Sequence, residues 1–377
     1  MSDPADDGVF FVGNATTLIR YGGFTLLTDP NFLRRGQRAY LGYGLTSRRR
    51  TDPAIEVGEL PALDAVVLSH LHGDHWDRVA RRGLDRDVPV VTTPQAARRL
   101  RPQGFHGAVG LDTWSGHELR RGGRTLRITA LPGRHAPGPA QALLPPVMGS
   151  MLEFGTDGRV DLRVHISGDT LLVPELAEIP RRYPGIDLAI VHLGGTKILG
   201  MLMVTMDGRQ GADWLGLIDP DAVMPVHYDD YEAFTSPLDD FRRHVERAGL
   251  AGRVRYVARG ETLRLPVRPE PGGALGVPDA SQARGVQGPR RGSGRSGTDA
   301  GRRGDPRERT TAMTETDPEN TPDLTERYER SGRVPDDRED SAGPGAPTAT
   351  DPGGPPAQIP DDRKASARSG MPEEEGE

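Results

Sequence analysis

The chain has 377 residues, no cysteine and a formal net charge of −6 at pH 7. The lack of cysteine excludes disulfides, thiolate metal ligands and cysteine nucleophiles. The negative balance argues against a nucleic-acid-binding protein, which usually carries a basic face. Hydrophobic residues make up only 35% of the chain, and they are concentrated before residue 269. We therefore expect one folded domain over residues 1–268 and a disordered tail rich in Gly, Pro, Arg and acidic residues over 269–377.

The first residues of the chain, 1–7, are acidic and lack the basic and then apolar pattern of a signal peptide. No stretch approaches the roughly 20 apolar residues that a membrane span needs. The absence of cysteine fits a reducing compartment. These features predict a soluble cytoplasmic protein, whereas nothing in the sequence indicates its oligomeric state.

The first predicted elements are short strands separated by glycine turns. They are Val9–Val12, Thr17–Tyr21 and Phe24–Thr28, and Gly22-Gly23 is typical of a two-residue hairpin turn. Residues 31–60 show no hydrophobic period and are expected to form an irregular segment. A loop of that length in a compact domain is often functional.

The rest of the domain mixes strands with helices. Strands are predicted at Asp64–Leu68, Val88–Val91, His117–Arg120, Thr125–Ala130, Ser150–Phe154, Arg163–Ser167, Asp187–His192, Ala222–Val226, Val254–Val257 and Thr262–Leu265. Helices are predicted at Pro94–Leu100, Pro174–Ile179, Asp207–Ile218 and Pro237–Ala248. Strand-rich halves with interspersed helices predict an α/β (α+β) fold of two sheets covered by helices, a four-layer αββα sandwich.

The strongest motif is His70-x-His72-x-Asp74-His75, which directly follows a buried strand. Alternate residues of an extended chain project to the same side, so His70, His72 and Asp74 are expected to converge. A following turn would bring His75 alongside them. Imidazole nitrogens and carboxylate oxygens are ligands of Zn²⁺. The pattern therefore predicts a metal site at the end of this strand.

The segment HLHGDH resembles the HxHxDH signature of the metallo-β-lactamase superfamily. Three further polar residues, His135, Asp169 and His227, each follow a predicted strand in the expected order. The resemblance covers about residues 8–268 and implies the metallo-β-lactamase fold. It also implies a first metal held by His70, His72 and His135, a second held by Asp74, His75 and His227, and Asp169 as a bridge between them.

Within the superfamily, the chain is most similar to the branch that contains ascorbate-6-phosphate lactonases and N-acylphosphatidylethanolamine phospholipases D. The similarity rests on the segments Val12–Thr16, Leu27–Pro30, Pro61–Leu68, Gly168–Thr170 and Pro225–His227. The chain also departs from this branch. Asn14 stands where the first glycine motif usually has histidine, Thr205-Met206 replaces a His-Met segment, and Tyr228–Asp230 replaces a Trp-Gly-Thr type run. These replacements affect the expected substrate contacts and leave all metal positions in place.

The resemblance implies a binuclear hydrolase in which a hydroxide between two divalent cations attacks a carbonyl carbon or a phosphorus. Asp74 and Asp169 are the expected catalytic residues, with Asp74 also accepting a proton. The nitrogen and oxygen ligands favour zinc, with manganese or iron as alternatives. The expected substrate is a small molecule or lipid with a phosphodiester, lactone or ester bond. A nuclease, a flavodiiron-type redox enzyme and a non-catalytic binding protein of the same fold are the alternatives.

Several other polar residues lie near the predicted strand ends. Asp29 is either an orienting partner of a ligand histidine or a turn residue before proline. Thr196, Lys197 and Tyr228 would suit a phosphate or oxyanion, although an ordinary loop role is favoured. His165 and His192 are expected to be buried structural histidines. The stretch Leu199–Met206 is expected to be a partly buried loop, with an apolar substrate pocket as the alternative.

Overall fold

The structure is a computed structural model, and it describes residues 7–198 and 200–266. The predicted disordered tail, 269–377, lies outside the described residues, as does Leu199. Within the two described ranges, no helix is long and apolar enough to cross a membrane.

The described residues form strands and helices in the following chain order. The strands are β1 (Gly8–Gly13), β2 (Thr16–Tyr21), β3 (Phe24–Thr28), β4 (Arg38–Gly42), β5 (Leu45–Arg48), β6 (Ala65–Val67), β7 (Val90–Thr92), β8 (Ala108–Gly110), β9 (Gly116–Arg121), β10 (Arg124–Leu131), β11 (Gly149–Thr156), β12 (Arg159–Ile166), β13 (Leu188–His192), β14 (Lys197–Ile198), β15 (Leu202–Met203), β16 (Ala222–Val226) and β17 (Thr262–Arg264). The α-helices are α1 (Arg78–Gly83), α2 (Pro94–Leu100), α3 (Glu178–Arg182), α4 (Gly208–Ile218) and α5 (Leu238–Arg247).

Two large sheets carry the fold. The first has seven strands in the order β17-β1-β2-β3-β6-β7-β8, and the second has six in the order β16-β13-β12-β11-β10-β9. Strands β3, β6, β7 and β8 run parallel to one another, as do β12, β13 and β16. Parallel strands end at the same edge of their sheet, so the residues that follow them come close together.

Alternating side chains build a four-layer sandwich. In β1, Val9 and Phe11 face a core between the sheets, whereas Phe10 and Val12 pack on the outer face against residues of α1 and α2. In β13, Leu188 faces the same core between the sheets, whereas Val191 packs on the outer face against α4 and α5. The period of two in each strand therefore gives the order helix, sheet, sheet, helix. The predicted αββα architecture is confirmed.

Helices α1 and α2 each begin at a residue whose side chain caps them. Asp77 accepts the backbone N–H groups of Val79 and Ala80 at the start of α1. Thr93 accepts that of Ala96, and Pro94 occupies the first turn of α2. Both arrangements satisfy N–H groups that have no partner inside the helix. They fix the two helices that cover the outer face of the first sheet.

Two expectations about secondary structure are wrong. Residues 31–60 contain the hairpin of β4 and β5, whose alternation is obscured by charged residues on its exposed face. Val254–Val257 is not a strand, because only Val254 forms an isolated bridge, to Val223. The chain there packs its apolar side chains without a continuous ladder.

Candidate metal centre

The predicted metal ligands all follow strands that end at one rim of the sandwich. The residues His70–His75, called the metal loop below, come after β6, His135 comes after β10, and Asp169 comes after β12. His227 follows β16 directly. The structure thus brings together residues from both sheets that are up to 157 positions apart, as 227 − 70 shows.

Three imidazoles form the first cluster, called the histidine trio: His70, His72 and His135. His72 Nδ1 lies 2.9 Å from His70 Nε2 and 3.1 Å from His135 Nε2. His70 and His135 are buried, and His72 is partly exposed. This is the set that the family resemblance implied for the first metal.

Four residues form the second cluster, called the mixed quartet: Asp74, His75, Asp169 and His227. His75 Nε2 lies 3.1 Å from Asp169 Oδ2, and His227 Nε2 lies 3.4 Å from Asp74 Oδ2. All four are buried. The two clusters are adjacent, because the ring centroids of His70 and His75 lie 4.3 Å apart.

For three of the candidate ligands, a hydrogen bond at Nδ1 fixes the orientation of the imidazole ring. His135 Nδ1 donates to the carbonyl of Val204 at 2.7 Å, and His227 Nδ1 donates to that of Leu193 at 3.1 Å. A carbonyl can only accept, so each ring carries a proton on Nδ1 and turns its Nε2 toward the site. His70 behaves alike, because Ser69 Oγ donates to Asp29 and therefore accepts from His70 Nδ1.

Asp29 orients His75. Its Oδ2 lies 3.3 Å from His75 Nδ1, and its Oδ1 accepts the backbone N–H and the hydroxyl of Ser69 at 2.7 and 2.9 Å. Burial opposes ionisation of Asp29, but His75 and His192 outweigh it and lower the pKa of Asp29 to about 2. Of the two interpretations of Asp29 in the sequence, the orienting partner is the one that the geometry supports.

His192, which was expected to be a buried structural histidine, is buried and lies next to the site. Its Nε2 lies 3.4 Å from Asp29 Oδ2, and its ring stacks on His75 at 5.9 Å. Asp29, His75 and His192 form a third group of potential ligand atoms behind the mixed quartet. The only signal in the sequence was its position at the end of a buried strand, a place that His135 and His227 also occupy.

The pKa values divide the histidines by cluster. Burial lowers the pKa of His70 well below its usual range, lowers that of His72 to about 3, and lowers that of His135. Burial also disfavours the charged forms of His75 and His227, but nearby carboxylates outweigh it. Asp169 and Asp29 raise the pKa of His75 well above its usual value, and Asp169 and Asp74 raise that of His227.

Two asparagine side chains donate hydrogen bonds to main-chain carbonyls of the metal loop. Asn14 Nδ2 donates to the carbonyl of Asp74 at 2.6 Å, and Asn31 Nδ2 donates to that of Gly73 at 3.1 Å. Asn14 also accepts the backbone N–H of His227 at 3.0 Å. Asn14 thus joins ligand segments from both sheets. It adopts φ of 54°, a left-handed conformation that asparagine tolerates better than most residues.

A buried ion pair anchors the two asparagines. Asp230 Oδ2 accepts the backbone N–H of Asn14 at 2.8 Å, and Arg49 NH1 donates to the side chain of Asn31 at 2.5 Å. Arg49 and Asp230 are fully buried, with their charged atoms 3.5 Å apart. A buried charge without a partner is costly, so this pair ties the strand β5 segment firmly to the segment after His227.

The donor set fits divalent cations. In both clusters, lone-pair nitrogens face other acceptors, an arrangement that is repulsive unless a proton or a cation lies between them. Asp74 Oδ1 and Asp169 Oδ1 are buried without a hydrogen-bond partner among the described residues. Nitrogen and oxygen ligands without sulfur suit zinc, manganese or iron. The two clusters could therefore hold one cation each.

The other predicted contact residues lie beside the site. Thr196 and Lys197 are at the start of the small β14–β15 hairpin, and Thr196 accepts a backbone bond from Val204, the partner of His135. Tyr228 follows His227, and burial together with Asp229 raises the pKa of Tyr228 to about 12. Val204 and Leu202 pack against Ala136. This part of Leu199–Met206 is thus a partly buried loop next to His135, as expected.

Comparison with known proteins identifies the family of this chain. Residues 25–228 match the family described as the beta-lactamase superfamily domain. A metal-dependent hydrolase of Deinococcus radiodurans is 27% identical over 259 residues, covering 67% of this chain and 97% of the relative. One of Thermus thermophilus is 27% identical and covers 68% and 98% of the two chains.

Solved structures show the same fold. A possible metal-dependent hydrolase of Veillonella parvula has a TM-score of 0.58 at 23% identity, covering 69% of this chain and all, 100%, of the other. An isothiocyanate hydrolase from gut bacteria of Delia radicum has a TM-score of 0.57 at 21% identity, with 68% and 98% coverage. Because the family match spans more than half of the chain, this protein belongs to the beta-lactamase superfamily and has the metallo-β-lactamase fold.

Proposed function

We propose that this metal-dependent hydrolase holds two divalent cations, one on the histidine trio and one on the mixed quartet, with Asp169 between them. The observation that carries the proposal is the orientation of the rings. Backbone carbonyls accept from Nδ1 of His135 and His227, so the Nε2 atoms of both rings point into the site. Nitrogen atoms whose orientation is fixed before binding are what a metal site requires.

Cations held there would polarise a carbonyl or phosphoryl group and activate water at neutral pH. The protein's own residues would position that chemistry. Asp74 would take a proton from the attacking water, and the support for this role is that its Oδ1 is buried and has no hydrogen-bond partner among the described residues. His72, the partly exposed ligand candidate, marks the side from which substrate would enter.

We propose phosphodiester, lactone or ester bonds of a small molecule or lipid as the substrate class. The support is the similarity to the branch that contains ascorbate-6-phosphate lactonases and N-acylphosphatidylethanolamine phospholipases D. This similarity rests on the segments around Asn14, Asp29, Asp169 and His227. Zinc is the proposed metal, because the ligands are nitrogen and oxygen atoms without sulfur. A cytoplasmic location is proposed on the absence of cysteine from the sequence.

The competing functions predict different observations. A nuclease would require a basic track for phosphates, whereas the chain has a net charge of −6. A non-catalytic binding protein would tolerate the loss of a ligand, whereas all predicted ligand positions are present and brought together. A flavodiiron-type enzyme would have glutamate in place of His72 and a flavin domain. The hydrolase is therefore the function that the site supports best.

The test is hydrolysis by the full-length protein loaded with Zn²⁺ or Mn²⁺. An aryl phosphodiester and an aryl lactone would be assayed in parallel, with His72→Ala as the inactive variant. His106→Ala is the matched control, since His106 is exposed and belongs to neither cluster. The proposal expects metal-dependent turnover in wild type and His106→Ala and none in His72→Ala. Two bound cations without turnover of either substrate would refute the substrate class, and no bound cation would refute the site.

A further inference from the structure

A second cleft, distinct from the metal centre, lies next to the metal loop. It has a volume of about 380 Å³, within the range of small-molecule sites. Leu71 and Gly73 of the metal loop form part of its wall, but none of the seven ligand candidates lines it. Side chains of Leu71 and Trp76 provide apolar surface, together with the exposed ring of Tyr40.

Four arginines surround this cleft: Arg38, Arg78, Arg81 and Arg99. Among the described residues, the only hydrogen bonds that their guanidinium groups make are from Arg38 to the Thr46 hydroxyl and from Arg78 to the Arg38 carbonyl. No carboxylate pairs with any of them within the described residues. Four arginines without acidic partners around one cleft form a local concentration of positive charge.

The only acid in the cleft wall cannot neutralise them. Asp77 accepts the backbone N–H groups of Phe32 and Leu33 with one oxygen and those of Val79 and Ala80 with the other. Asp77 is buried, with only 4% of the residue exposed. Asp77 is therefore committed to capping α1 and to holding the chain after β3.

Stabilisation of a helix end explains the positions of only two of the four arginines. Arg81 and Arg99 lie in the last turns of α1 and α2, where positive charge is favourable. Arg78, however, opens α1, where a cation is unfavourable, and Arg38 belongs to a strand. Their convergence with the other two comes from the tertiary structure, and the one hydrogen bond between them runs from Arg78 to the main-chain carbonyl of Arg38.

We propose that this cleft binds a phosphorylated organic anion. Guanidinium groups bind phosphate through paired hydrogen bonds, and four of them suit a ligand with at least two negative charges. Leu71, Trp76 and Tyr40 would contact the organic part of the ligand. The inference does not rest on the proposed hydrolase function, because no ligand of the metal clusters takes part in it.

Calorimetric titration with phenylphosphonate tests the proposal. This probe has a phosphate-like head and an aromatic ring, and it has no ester bond to cleave. It would be added to the metal-loaded full-length protein and to its His72→Ala variant, which weakens binding at the metal centre. Variants of the cleft arginines in that background then assign the remaining binding to the cleft or to the metal centre. Arg81→Gln/Arg99→Gln removes two cleft arginines. Arg82→Gln/Arg98→Gln is the matched control, because these neighbours are exposed in the same helix turns and do not line the cleft.

The proposal expects saturable binding that persists in the His72→Ala background. There, affinity should fall roughly tenfold or more in the Arg81/Arg99 pair and less than about twofold in the Arg82/Arg98 pair. Equal losses in both pairs would show general charge attraction and overturn the proposal. Absence of saturable binding to His72→Ala below about 10 mM would overturn it as well.

Discussion

The histidine trio and the mixed quartet lie side by side and use the same type of ring, yet their electrostatics are opposite. In the trio, burial lowers the pKa values of all three histidines, and no carboxylate belongs to the cluster. In the quartet, carboxylates outweigh burial and raise the pKa values of His75 and His227. One cluster thus presents neutral nitrogens, and the other holds protons when it holds no cation.

The same ligand residue therefore has a different protonation state in each cluster, depending on whether carboxylates lie beside it. A cation entering the trio meets neutral imidazoles, so its binding releases no net proton. A cation entering the quartet must displace protons from imidazoles and then gains the attraction of two carboxylates. We therefore expect the clusters to differ in their response to pH and to mutation of surrounding residues, although both bind divalent ions.

The largest expected effect comes from removing one ligand of either cluster. His135→Ala and His227→Ala should each reduce the bound metal from about two ions to about one per chain. Turnover should fall by about a thousandfold in both, because stabilisation of several kcal/mol is lost. Metal analysis by mass spectrometry and kcat measurements check this, with His106→Ala as the unaffected control. If His227→Ala kept both ions, the quartet would not be a binding site.

The pH dependence of binding should separate the clusters next. Below the raised pKa values of His75 and His227, a cation must displace their protons, so affinity for the quartet should rise with pH by about tenfold per pH unit for each displaced proton. The trio, neutral at the same pH, should change little. Chelator competition between pH 6 and 8, performed on His135→Ala and His227→Ala, measures each cluster alone. Identical slopes would contradict the comparison.

Asp29→Asn should act mainly on the quartet. An amide can keep the bond to Ser69, but it presents an N–H to His75 Nδ1 where Asp29 presents an acceptor. Loss of such an orienting partner typically costs about 10–100-fold in metal affinity. We expect that loss in the His135→Ala background and a smaller one in His227→Ala. Asp64→Asn, at the opposite end of β6, is the matched control.

Asn14→Ala should have the smallest effect and should affect both clusters. It removes the hydrogen bond to the Asp74 carbonyl but keeps the main-chain bond to His227. The free energy of unfolding should fall by about 1–3 kcal/mol, measured by urea denaturation. Metal affinity should weaken at both clusters to a similar extent. A change confined to one cluster would show that Asn14 does not join the two halves of the site.

Much of the fold was predictable because local signals agreed with it. Strands β1 to β3 were predicted within a residue or two, since their apolar runs are separated by glycine turns. Helix α2 was predicted at its observed bounds from Pro94 and the preceding threonine cap. The β4–β5 hairpin was missed, because its charged, exposed residues give no apolar alternation.

The candidate ligands could also be predicted, because each follows a strand and the metal loop is a compact motif. Among their orienting partners, Asp29 was a candidate from the sequence, whereas the main-chain partners could not be predicted. Val204 and Leu193 contribute main-chain carbonyls, which any residue would supply, so no side-chain pattern marks them. Arg49 and Asp230 are 181 residues apart, and only the folded chain shows that they anchor Asn31 and Asn14.

The central claim is that the two clusters hold one cation each. A crystal structure of the zinc-loaded protein, with anomalous data collected on both sides of the zinc absorption edge, tests it most directly. The account predicts two zinc peaks, one among His70, His72 and His135 and the other among Asp74, His75, Asp169 and His227. A single peak, or a peak among Asp29, His75 and His192 in place of the second, would contradict it.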